Sequence, residues 1–168
     1  ATETTNRQYA QMISDHQERD DQPVVSVTWE QARSFCQRVG GDLPTEAQWE
    51  YAVHGGSRTR WSFQLDLYAW FDGNFGNQTH DAKQKLPNPL GLYALHGNAW
   101  EWVRDEYGDY QAGTFVDPEE SAKTGRRVVR FVLFGTSPRP RSADRDDGAP
   151  ESRLRDSGFR CVRVPPQH

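Results

Sequence analysis

Apolar side chains recur at helical spacing in the first third of the chain. Tyr9, Met12 and Ile13 fall at i, i+3 and i+4, and Trp29, Ala32 and Cys36 at i, i+3 and i+7, the stripe of a half-buried helix. Three start signals accompany this third: Thr5-Asn6-Arg7-Gln8, Thr28-Trp29-Glu30-Gln31 and Thr45-Glu46-Ala47-Gln48. Each has the capping-box spacing, in which the Thr and Gln side chains satisfy backbone N–H groups of the first turn. Gly40-Gly41 and Gly55-Gly56 end the second and third helices, and Pro23–Val27 between the first two reads as a short strand. From Ser57 to Gly97 the period is lost. Gly, Pro, Asn and Asp alternate there with Trp61, Phe63, Tyr68, Trp70 and Phe71, which predicts long loops kept ordered because the rings need something to pack against. Ala99–Val103 alternates as a strand, Arg127–Arg130 starts another, and Phe159–Val164 reads as a third alternating strand. Short helices followed by short strands predict an α+β fold. With no repeat or linker, residues 1–168 read as one domain.

Composition narrows the function classes. Hydrophobic residues make up 35% of the 168 positions and charged residues 26%, with a mean hydropathy of −0.93. Aromatics nonetheless reach 12%, with six Trp, more ring surface than disordered chains carry. No apolar run approaches the roughly 20 residues of a membrane span, and no signal-peptide pattern opens the chain, so a soluble protein of unspecified compartment, without membrane insertion, is expected. A net charge of −4 provides no attraction for nucleic acid. Lys numbers three against 17 Arg, so positive charge here means guanidinium forks suited to carboxylates. Two cysteines, Cys36 and Cys161, cannot build a zinc ribbon. They are either buried thiols or one bridge, whose loop of 125 residues would contribute about 4 to 5 kcal/mol in the chain-entropy model.

Five blocks resemble the formylglycine-generating-enzyme (sulfatase-modifying factor) family. They are Val25–Ala32, Leu43–Ala52, Asn88–Tyr93, Gly97–Trp102 and Gly158–Val162, in the family's order. Glu3–Tyr9 is similar to a further family stretch, and the segment that usually precedes it is expected to be missing, as in a fragment. The resemblance implies a C-type-lectin-like fold with few helices, a twisted mixed sheet and a loop-rich half carrying the binding face. It also implies that Cys36 pairs with Cys161.

The same resemblance argues against catalysis. Family enzymes hold copper through two cysteines after an Arg-Gly-Gly-Ser strand, since a thiolate pair suits Cu(I); the matching stretch, Arg130–Arg141, has none. Related sulfoxide synthases use histidines of another domain, and His16, His54, His80, His96 and His168 here are scattered. Calcium is the one implied cofactor: Gly97, Ala99 and Glu101 match family ligands, but Ala94 stands where a side-chain oxygen is required, which weakens the shell. The alternative is that Glu101 bonds the loop backbone.

A second branch of the resemblance comprises variable proteins of diversity-generating retroelements, whose C-terminal segment is mutated at template adenines. The target AAC codons cannot become Lys, Gln, Glu, Met or Trp. Those types number 32 in the chain, yet Glu151 alone represents them among the 30 residues 131–160. Arg141, Ser142, Ala143, Arg145, Pro150, Glu151, Arg153, Gly158, Phe159 and Arg160 match the family's constant framework, its arginines holding loops through carboxylates and carbonyls. The open positions Asp144, Asp146, Asp147, Ser152, Leu154, Arg155 and Asp156, with Phe131, Leu133, Phe134, Thr136, Ser137 and Arg139, are the expected ligand-binding residues. Phe131–Phe134 reads either as display surface or as a buried central strand. The expected function is non-catalytic binding of an unidentified protein or surface ligand, with a divergent formylglycine-generating oxidoreductase as the alternative.

Overall fold

The computed structural model describes residues 1–18, 20–55, 65–71, 73–110, 112–133 and 141–163. Four helices come first: α1 (Asn6–Ala10), α2 (Trp29–Arg38), α3 (Glu46–Val53) and α4 (Leu65–Tyr68), with β1 (Gly41–Asp42) between α2 and α3. The strands β2 (Trp100–Glu106), β3 (Arg127–Leu133), β4 (Arg141–Gly148), β5 (Ser157–Phe159) and β6 (Val162–Arg163) follow. All three expected capping boxes form, with Thr5, Thr28 and Thr45 accepting from the N3 backbone and Gln8, Gln31 and Gln48 returning to the cap. None of the helices described is long and apolar enough to cross a membrane.

Two sheets organise the chain. One is four-stranded in the order β4-β3-β2-β5, antiparallel except for the parallel β2/β5 pair; the other joins β1 to β6. Side chains alternate across a strand, so neighbours on β2 and β3 feed opposite cores. Trp102 and Val129 enter a cluster with Tyr9, Val24, Trp29, Phe35 and Phe159. Val103 and Val128 enter another with Trp49, Val53 and Leu95. The buried indoles find partners: Trp29 Nε1 donates to Val103 O at 2.8 Å and Trp102 Nε1 to Val27 O at 3.0 Å. The Cys36–Cys161 disulfide is formed, its Cα atoms 5.3 Å apart.

Three elements differ from expectation. Pro23–Val27 is not a strand: only Pro23 makes a bridge, to Thr5, and Ser26 turns the backbone to φ +58°. Val24 and Val27 both bury, and core anchoring produced the apolar run. The expected strand Phe159–Val164, of which Val164 lies outside the described residues, splits, β5 joining the large sheet and β6 the small one, because Arg160 turns in to Glu101 and Cys161 is tied to Cys36. The Arg- and Asp-rich segment read as display loop is, over Arg141–Gly148, strand β4. Its residues have poor strand propensity, and pairing along β3 supplies what propensity does not.

Candidate functional site

Register places the expected display residues. Phe131 pairs with Asp144, Arg130 with Arg145, Val129 with Asp146 and Val128 with Asp147. Opposite residues of an antiparallel pair share a face, so Phe131, Asp144 and Asp146 lie on the Trp100/Trp102 face and Asp147 on the other. Asp147 there ion-pairs with Arg126. Phe131 is half-buried and stacks on Trp100 with ring centroids 5.1 Å apart; it is a residue of a central strand whose ring borders a cleft. Asp146, Arg155 and Asp156 are exposed, and Asp144 and Ser152 are half-buried. Leu133 is described by its backbone register to Arg141, and Phe134, Thr136, Ser137 and Arg139 lie outside the described residues.

Leu154, another expected display residue, is half-buried. It packs against the Trp102 core, and an added Cβ on Gly148 would meet its Cδ1 at 3.0 Å and Trp102 at 2.6 Å. An apolar side chain beside a tryptophan core has more to gain from burial than from solvent.

The cleft lies between the loop after α4 and the sheet, with a volume of about 300 Å³. Five rings, Trp70, Phe71, Phe75, Trp100 and Phe131, wall it, and Asp156 provides its carboxylate. Trp70 is fixed by His80, stacked at 3.6 Å, and by Lys85 Nζ 4.1 Å from its ring. Sequence reasoning foresaw an ordered aromatic loop but missed that it builds one wall of a cleft; aromatic content alone carries no direction.

Beneath the face, Arg145 and Arg130 point inward, whereas Arg153 is exposed. Arg145 Nε donates to Glu46 Oε1 at 2.9 Å and Nη1 to Gly108 O at 2.6 Å, its guanidinium lying over Tyr107 and Tyr110. Arg130 Nη1 reaches the same Glu46 oxygen at 2.7 Å. Arg153 donates to Ser26 O at 2.9 Å. Glu46 was read only as a helix-start residue. Its role as the shared acceptor of β3 and β4 arises from strand pairing that no local spacing encodes.

Glu101 anchors a second buried network. Both its oxygens receive Arg160, each at 2.6 Å, and Oε2 also receives Trp49 Nε1 at 2.7 Å. Nearby, Glu3 is held by Asn98 Nδ2 at 3.0 Å; burial first, then the Glu101 charge, raises its carboxyl to about 8. Burial, with Arg160 close by, lowers His96 to about 4. The calcium shell expected at Gly97, Ala99 and Glu101 does not fit this arrangement. A guanidinium already occupies the carboxylate, Gly97 O accepts from Ala99 N at 3.2 Å, and Ala94 offers no side-chain oxygen. Among the described residues no group of three or more His, Cys, Asp or Glu could hold a metal ion. Nor do the residues fit the copper of family enzymes, because the chain's two cysteines are bonded to each other.

Comparison with known proteins agrees with this geometry. The profile of the sulfatase-modifying factor enzyme 1-like domain matches residues 1–165. The chain is 32% identical to the formylglycine-generating enzyme of Streptomyces coelicolor, over 89% of this chain and 55% of that protein. It is also 32% identical to the inactive Cα-formylglycine-generating enzyme 2 of Bos taurus, over 93% of this chain and 55% of that protein. The chain therefore spans about half the length of these curated relatives. In structure it is similar to Treponema denticola variable protein 1, with TM-score 0.78 and 25% identity over 94% of this chain and 81% of that one. The α+β fold is thus C-type-lectin-like.

Proposed function

Since this chain belongs to the sulfatase-modifying factor enzyme 1-like family, we propose that it uses the family scaffold to bind a ligand without catalysis, as a variable protein of a diversity-generating retroelement, with residues 131–160 as its diversified region. The observation that carries this reading is the division of side chains on β3 and β4. Arg130 and Arg145 bury their guanidinium groups in the scaffold through Glu46, while Phe131, Asp144 and Asp146 lie on the opposite face, beside a cleft that Asp156 completes. A rigid support under exchangeable side chains binds with little ordering cost. The likeness to a variable protein and the absence of a free cysteine pair for Cu(I) support the same reading.

Two measurements test it. Alanine at Asp144, Asp146 or Asp156 is expected to change unfolding stability by no more than about 0.5 kcal/mol, the surface scale. Two of the three costing over about 2 kcal/mol would overturn the display reading. The purified protein, with copper added, is expected to leave a cysteine-containing sulfatase peptide unconverted; formylglycine above a no-protein control would restore the enzyme reading.

A further inference from the structure

The cleft's lining has a definite electrostatic character. Among the described residues that line it, Asp156 alone is charged, none is Lys, Arg or His, and five aromatic rings form its walls. Asp156 is exposed. Among the described residues none of Asp144, Asp146 and Asp156 enters an ion pair, though Asp146 accepts from the Asp147 backbone at 2.8 Å. The faces of aromatic rings attract cations, and Trp70 in this wall already carries an ammonium on its ring, that of Lys85. A space of about 300 Å³ is at the low end for small-molecule sites and suits one long side chain. Asp144 and Asp146 extend the negative face along β4 beyond the cleft, roughly 7 Å apart at strand spacing. The complementarity therefore spans a surface and not one group.

Resting on the display reading above, we propose that the cleft receives a lysine or arginine side chain from a protein partner, its aliphatic stem against Trp100 and Phe131 and its charged head at Asp156. Asp144, Asp146 and Asp156 are open positions, so this preference belongs to this chain and not to the scaffold.

The test titrates the full chain, followed by its tryptophan indole NMR signals, with Nα-acetyl-lysine methylamide, the arginine counterpart and the uncharged norleucine counterpart. The cationic compounds are expected to bind at least about tenfold more tightly than norleucine, the scale of a desolvated cation–π contact plus a carboxylate. Asp156→Asn is expected to weaken the lysine compound about three- to tenfold, and Glu119→Gln, in a separate groove, to leave it unchanged. A lysine-glycine-lysine tripeptide is expected to bind more tightly than the single residue and to lose that gain in Asp144→Asn/Asp146→Asn. Norleucine binding as well as lysine, or no lysine binding at tens of millimolar, overturns the cationic assignment while leaving the display reading standing, since that reading fails on mutant stability instead. A tripeptide no tighter than the single residue overturns the assignment to a protein surface.

Discussion

At the scale of single residues, burial decides more than chemical type. Glu3 is buried and His96 half-buried, both are ionisable, and they set opposite limits on stability. The folded carboxyl of Glu3 is raised from 4.5 to about 8, so the folded state binds more protons than the unfolded one in that window. Its contribution is full below pH 4.5 and is lost as pH rises through about 8. His96 is lowered from 6.5 to about 4, so its contribution is present above pH 6.5 and lost as pH falls through about 4. Thermal unfolding across pH 4 to 9 is expected to show a broad maximum between about pH 5 and 6. Glu3→Gln is expected to flatten the alkaline side and His96→Gln the acid side, and a wild-type alkaline slope retained in Glu3→Gln would remove Glu3 as its source. Leu154 belongs to the same scale. Its packing against the Trp102 core predicts that Leu154→Ala costs about 1 to 2 kcal/mol in denaturant unfolding, above Asp146→Ala at no more than about 0.5. Equal costs would return Leu154 to the displayed set.

At the scale of elements, α3 and the β3/β4 pair are held together at one carboxylate. Glu46 begins α3, accepts Arg130, Arg145 and Tyr110, and donates its backbone N–H to Asp105 Oδ2 at 2.6 Å. Removing it leaves two guanidinium groups, one fully buried, without their shared acceptor. Glu46→Ala is expected to cost about 3 to 5 kcal/mol, the scale for breaking a buried charge pair from one side. Unfolding of the variant by denaturant measures this, and a loss below about 1 kcal/mol would reduce the network to a surface-like contact. The capping boxes and the Trp102/Val129 alternation were legible along the chain because both depend on residues a few positions apart. Strand β4 was not legible. Its sequence, Arg-Ser-Ala-Asp-Arg-Asp-Asp-Gly, has neither the composition nor the alternation of a strand, and it becomes one by pairing with a neighbour already in place.

At the scale of the whole molecule, the disulfide joins α2 to the segment between β5 and β6 across a separation of 125 residues. A loop of that length constrains the unfolded chain, and the reduced protein is expected to lose about 4 to 5 kcal/mol. Comparing unfolding of the oxidised protein with a Cys36→Ser/Cys161→Ser variant checks it. A loss under about 1 kcal/mol would mean that the unfolded state is already compact.

The sequence by itself determined the α+β class, the three capped helices and β2 as a strand. Those follow from local periodicity and cap spacing. It also indicated, through the family resemblance, the cysteine pairing. Only the tertiary structure decided which open positions face outward together. Phe131, Asp144 and Asp146 fall on one face and Asp147 on the other, while Leu154 packs half-buried against the core, because pairing register assigns faces and register depends on the partner strand. The cleft was likewise decided there. Its walls come from positions 70, 71, 75, 77–79, 98, 100, 131 and 156, and the long-range pairings that bring those segments together leave no mark in any one stretch of chain.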